Sequence, residues 1–189
     1  MKNKITNFRL ESLEDTKYIT ASLAKYEQNG IKKDWEVVKA HDSVAILIYH
    51  KEHNNFVLVK QFRPAVYLCN QDGMTVELCA GLVDKKLTLG QIAREEILEE
   101  CGYNVSVESL EYITAFHTSV GFAGSKQTLY YAEVDESMRV SAGGGVEGEL
   151  IEVIELPLSK AKNFIYDESI AKTPGLMFAF MWWFDEIRN

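Results

Sequence analysis

The sequence predicts an α+β fold, a mixed β-sheet sandwiched between helices and preceded by an antiparallel β arm. Three observations carry this. Short apolar runs separated by turn residues recur along much of the chain, as strands do. Residues 88–101 have helical periodicity instead. The C-terminal part then turns to helix signals, with Thr173 followed by Pro174. A chain of 189 residues at 47% hydrophobic buries one substantial core.

Taken in order, residues 5–40 alternate enough for strands around Phe8–Leu13, Tyr18–Tyr26 and Trp35–Ala40, broken by Asn29-Gly30. Ser43–Tyr49 and Asn55–Gln61 are apolar runs flanking Lys51-Glu52-His53-Asn54, a hairpin turn. Further strands are predicted over Thr75–Leu78, Val105–Phe116, Gln127–Val134 and Leu150–Leu156. Ser159–Tyr166 predicts a second helix. A third has Thr173 as cap and Pro174 at its first position, and its run through Met181-Trp182-Trp183-Phe184 reads as core. The chain divides into an N-terminal β arm, 1–42, and a domain, 43–189.

A formal charge of −8 and a pI near 5.1 argue against a general nucleic-acid or anionic-membrane binder. A phosphate-bearing substrate would need local positive charge or a metal. Cys69, Cys79 and Cys101 are odd in number, sit in apolar contexts and read as reduced core residues of a cytosolic protein. The N-terminus lacks the apolar core of a signal peptide, and the longest apolar run, Gly175–Phe184, is too short to span a bilayer.

The helix at 88–101 is the informative element. Thr88 with Gln91 forms a capping-box start and Gly102 a C-terminal stop. Ala93, Ile97, Leu98 and Cys101 make its buried stripe. At roughly 100° per residue, Glu96, Glu99 and Glu100 share an arc on the other side. With Glu95 they put four carboxylates near the helix C-terminus, where like charges repel and the macrodipole disfavours them. A solvated acidic face tolerates that. A bound cation explains it, and carboxylate oxygens suit Mg²⁺ or Mn²⁺, ions that work alongside phosphate groups.

The stretch Gly81 to Tyr103 resembles the Nudix box, a glycine, a glutamate six residues on, and after seven more Arg-Glu-(aliphatic)-x-Glu-Glu-x-Gly-(apolar). Gly81, Glu96, Ile97, Glu99, Glu100, Gly102 and Tyr103 match in register. Leu87 stands where the first glutamate belongs and Glu95 where the arginine belongs. Family resemblance assigns metal binding to Glu96, Glu99, Glu100 and the backbone carbonyl of Ala80, and an orienting role to the missing arginine. Arg94, one residue back, points to another side of the helix.

The resemblance continues through Phe56–Pro64, Glu77–Gly81 and Gly145–Val153, covering the chain from about Trp35 to the last helix. It places the sequence in the nucleoside-diphosphate-sugar branch of the Nudix family, most similar to UDP-sugar pyrophosphatases, with ADP-ribose pyrophosphatases next. Phe62–Tyr67, Glu99–Tyr103 and the glycines before Glu147 carry the UDP-sugar likeness. What this implies is a Nudix fold and a Mg²⁺-dependent hydrolase, with UDP-glucose as first choice. A non-catalytic nucleotide-binding module with a degenerate box is the alternative that Leu87 and Glu95 raise.

Ser141-Ala-Gly-Gly-Gly-Val-Glu147-Gly-Glu149 reads as a flexible loop ending in carboxylates, as a mobile general base needs; a plain solvated turn is the other reading. Glu147 matches the loop glutamate that activates water in ADP-ribose pyrophosphatases, with Glu149 as fallback or as a further metal contact. Arg63, at the end of an apolar strand, is a candidate for gripping the diphosphate bidentately, and Lys60 a weaker one. Trp35 lies in a Trp-Glu context that stacks the base in the ADP-ribose branch, where the partner subunit's arm contributes it; packing on the sheet is its other role. The resemblance therefore also implies a homodimer. His117 reads as structural.

Overall fold

The computed structural model describes residues 5–146 and 148–187. β1 (Ile19–Gln28) and β2 (Ile31–Ala40) form a separate antiparallel ribbon, in register from Ile19 opposite Ala40 to Gln28 opposite Ile31. Asn29 and Gly30, at φ 55° and 79°, make the two-residue turn whose twist matches the strands it joins.

Seven strands build the main sheet: β3 (Ser43–His50), β4 (Asn55–Phe62), β5 (Met74–Glu77), β6 (Cys79–Leu82), β7 (Glu111–His117), β8 (Lys126–Val134) and β9 (Glu152–Pro157). β3 is the hub. One edge runs parallel to β8 along its whole length. The other edge is shared, with β4 pairing at Ile48–His50 and β6 at Ser43–Ile46. β4 swings away to pair with β5 and β9. Among the described residues no strand pairs with the outer edge of β6, beside the fork.

Period-two alternation assigns each strand residue to a face. Ala45, Leu47, Phe56, Leu58, Leu129 and Tyr131 pack under α3 (Leu158–Tyr166) and α4 (Pro174–Glu186), with Phe180 and Trp183 buried. Val44, Ile46, Ile48, Val57 and Val59 face the other way, against Ile92, Ala93, Ile97 and Cys101 of the helix at 89–101. The result is the expected sheet between helices.

That helix starts as the sequence dictates. Thr88 accepts from the Gln91 N–H while the Gln91 side chain accepts from the Thr88 N–H, opening α2 (Leu89–Glu96). From Ile97 to Cys101 it widens into a π-helical turn, a departure from the single regular helix expected, of a kind frequent at functional sites. Gly102 ends it at φ 79°. A Cβ there would lie 2.2 Å from the Ser141 carbonyl oxygen, so close approach as well as conformation demands glycine.

Several expectations are corrected. Phe8–Leu13 is not a strand; Phe8 instead sets its ring 4.7 Å from that of Tyr67. Val105–Phe116 divides into a short turn at Val107–Ser109 and β7, because the Leu110 N–H returns to the Val107 carbonyl. Pro64 starts an unforeseen helix, α1 (Pro64–Asn70), which buries no residue and so leaves no periodic signal. Four-residue β6 was also missed. Cys79 and Cys101 are buried as expected, but Cys69 on α1 is exposed. Trp183 is core and the His117 Nδ1–H donates to the Gly124 carbonyl, a structural role. No helix among the described residues is long and apolar enough to cross a membrane.

Gly102→Ala should lower the unfolding free energy by at least about 2 kcal/mol, from positive-φ strain plus displacement of the Ser141 segment. Urea denaturation of the two proteins measures this.

Candidate active site

Sequence-distant elements meet where β6 passes under the end of α2. The Glu96 carboxylate lies directly over Gly81, so close that a Cβ on Gly81 would come within 2.0 Å of its Oε1. Glu100 is 4% exposed, and its Oε2 accepts from the Ala80 N–H at 3.0 Å. That N–H points outward because β6 pairs with β3 on its other edge. Glu99, between them in sequence, is half-buried. Glu96 and Glu100 are thus brought against Gly81 and Ala80, with the charge of Glu99 felt by Glu96.

Their electrostatics are unfavourable as they stand. Burial, followed by the charge of Glu99, pushes Glu96 up to about 7. Burial also pushes Glu100 up to about 7, against the lowering effect of the Ala80 N–H and the Cys79 thiol. Holding the Glu100 carboxylate ionised at neutral pH costs on the order of 3 kcal/mol. An all-oxygen donor set with a surplus of negative charge fits a hard divalent cation.

The glycine run does not hang free. The Gly144 N–H donates to the Glu100 carbonyl at 2.8 Å and the Gly145 N–H to the Glu99 carbonyl at 3.0 Å. Gly143, Gly144 and Gly145 have φ of 68°, 111° and 82°. A Cβ on Gly143 would lie 2.2 Å from the Glu100 carbonyl oxygen. These glycines cap the orphan carbonyls of the acidic turn. Glu149 is exposed and accepts from the Val146 N–H at 3.1 Å. Its charge is felt by both Glu96 and Glu100. Glu147 lies outside the described residues.

Arg63 sits beside this site, within electrostatic reach of Glu100 and Glu149. Its Nε and one terminal nitrogen already grip Glu77 in a bidentate pair, both at 2.8 Å. Glu77 is buried and also accepts from the Thr75 hydroxyl at 2.5 Å. The bidentate edge expected for a substrate is therefore taken, leaving the other terminal nitrogen. Alternation puts Lys60 with Phe56 and Leu58, on the sheet face away from α2. Trp35 on β2 is 56% exposed and donates its Nε1–H to the Gly121 carbonyl at 2.7 Å. The arm is further tied to that loop by the Val38 N–H on the Phe122 carbonyl.

Sequence reasoning assigned no role to Glu77 or to Lys85, whose ammonium bonds Glu95 at 2.8 Å. The polar alternation of Thr75 and Glu77 within an apolar strand was the available signal for the first. Lys85 occupies no box position and gave none. His50, His53 and Glu136 also cluster. The two imidazoles are stacked 3.9 Å apart and 5° from parallel, so their in-plane lone pairs cannot converge on one ion. His50 Nδ1 moreover accepts from the His53 N–H. That cluster does not fit a metal.

No family model matches the chain. Curated relatives do. The uridine diphosphate glucose pyrophosphatase NUDT14 of Bos taurus is 41% identical, with 88% of each chain covered. The Mus musculus protein of the same name is 39% identical over 90% of each. The GDP-mannose pyrophosphatase of Cronobacter sakazakii is 38% identical over 76% of this chain and 74% of its own. The chain belongs to the Nudix hydrolase family, in its sugar-nucleotide pyrophosphatase branch. It is an enzyme of that family, and the matching fold and acidic box agree with the relationship.

A group raised from its ordinary 4.5 to about 7 contributes stability that is complete below about 4.5 and lost as pH climbs through about 7. Glu100→Gln cannot ionise and escapes that loss. In chelator, the melting temperature of the variant relative to wild type should therefore rise between pH 4.5 and pH 8, as scanning calorimetry would show. A constant difference would contradict the burial argument.

Proposed function

We propose that this chain cleaves the diphosphate of a nucleoside diphosphate sugar, with UDP-glucose as substrate and UMP and glucose 1-phosphate as products. The observation that carries the reading is the pair of desolvated carboxylates, Glu96 and Glu100, held against Gly81 and Ala80. The choice of sugar nucleotide is supported by identity, 41% and 39% to the UDP-glucose pyrophosphatases against 38% and 36% to GDP-mannose enzymes.

Glu96, Glu99, Glu100 and the Ala80 carbonyl would hold Mg²⁺, with Mn²⁺ as a substitute. When bound, the ion neutralises the diphosphate and polarises its phosphorus–oxygen bonds. The remaining nitrogen of Arg63 faces a phosphoryl oxygen, and Glu77 fixes its plane. Glu147 takes a proton from water, which attacks one phosphorus in line as the bridging P–O bond breaks. Glu149 is the alternative base, at the cost of its bond to Val146. The protein works in the cytosol.

The arm, residues 1–42, completes a homodimer and the base pocket. A two-stranded ribbon is marginal alone. This one exposes Ile19 and Leu23 on one face and Tyr26, Ile31 and Trp35 on the other. Those faces are covered by a second copy, with Trp35 at the edge of the base site.

Side-by-side assays of UDP-glucose, GDP-mannose and ADP-ribose with and without Mg²⁺ should give metal-dependent cleavage, fastest for UDP-glucose. Glu100→Gln should keep its far-ultraviolet circular dichroism and lose about a hundredfold or more in turnover. Unchanged turnover would remove Glu100 from the metal site. Light scattering should report a dimer for the wild type and a shift toward monomer for Leu23→Lys.

A further inference from the structure

We propose that Lys85 is a positioning residue of the metal site, its ion pair with Glu95 taking up the orienting task that the resemblance gives to the missing arginine. This rests on the metal-site reading above. The box places an acid on the loop before α2 and a base at position 95. This chain has Leu87 and Glu95 at those positions, and a base, Lys85, on the same loop. The Lys85 ammonium donates to Glu95 Oε2 at 2.8 Å. One contact thus answers both departures. Arg94 is otherwise engaged, with its Nε donating to the Val105 carbonyl at 3.0 Å and a terminal nitrogen to Asn104 at 3.1 Å.

Two features give the pair a task. Lys85 lies within electrostatic reach of Glu96 and Glu99 as well as Glu95, so it serves a network of carboxylates. An isolated exposed pair would contribute little. The loop that carries it also joins the strand bearing Gly81 to the helix bearing Glu96. Those two residues approach so closely that no side chain fits between them. Tying the loop to the last turn of α2 holds that approach, and it turns the Glu95 carboxylate toward the loop.

The rival is that Lys85 is a solvated lysine acting only through its charge; its side chain is 44% exposed. The two ideas differ in sign. A cation beside metal ligands repels the metal, so removing a mere charge strengthens metal binding. Removing a positioning residue weakens it.

Mn²⁺ binding to metal-free protein, measured by calorimetry, separates them. Lys85→Met should weaken Mn²⁺ about tenfold, the lower end of what outer-shell partners contribute, and Lys85→Arg should restore it. Lys85→Glu should weaken it further, although it adds a negative charge. The double variant Lys85→Glu, Glu95→Arg should recover most of the affinity and lower the Mg²⁺ requirement for turnover back toward that of wild type. Tighter or unchanged Mn²⁺ binding by Lys85→Met, or no recovery in the double variant, overturns the inference. Glu100→Gln in the same titration tests the reading beneath it. Wild-type Mn²⁺ affinity in that variant would sink the metal site itself, and a loss there with normal Lys85→Met would sink only the role of Lys85.

Discussion

The contact between the Glu96 carboxylate and the Cα of Gly81 is the constraint around which the site is organised. It requires a strand residue with no side chain, and a helix that presents its last acidic turn to the sheet instead of to water. Once Glu96 is fixed there, the following π-helical turn brings Glu100 to the outward N–H of Ala80. Two carboxylates then share a desolvated space, each pushed up to about 7. A surface ion pair, at about 0–1 kcal/mol, cannot offset a desolvation cost on the order of 3 kcal/mol. A divalent ion can, and that imbalance is the physical case for one.

Sheet topology makes the contact possible. Because β4 and β6 divide one edge of β3, the edge of β6 facing the helix end pairs with no strand among the described residues. A continuous ladder would have consumed the Ala80 N–H. The glycine run then seals the other side of the acidic turn, through N–H groups that only Cβ-free residues could bring to the Glu99 and Glu100 carbonyls. The acidic turn is thereby held on a rigid frame, with the Arg63 guanidinium fixed in orientation by Glu77.

The arm has a different physical character. Its ribbon hangs on the β7–β8 loop by the Trp35 and Val38 hydrogen bonds and leaves apolar side chains exposed on both faces. Among the described residues, both apolar layers of the main sheet are built from Val44 onward, without side chains of the ribbon. Such an element gains its stability from what it is placed against.

Much of this was determined by the sequence alone. Local rules set the Thr88–Gln91 capping box, the Thr173-Pro174 start of the last helix, the Asn29-Gly30 turn and the Gly102 stop, and the box spacing put Glu96, Glu99 and Glu100 on one turn. What depended on tertiary structure has long-range causes. Exposed α1 has no periodicity to read, and β6 exists only because β3 offers it an edge. The pairing of Arg63 with Glu77, the placing of Lys60 on the far face, and the docking of the glycine run on carbonyls some forty residues away in sequence all follow from strand order and register. The Lys85–Glu95 pair falls in the same class. Its partners are ten residues apart across a loop and a helix, where neither strand nor helix periodicity predicts contact, and only the folded path of that loop brings base to acid.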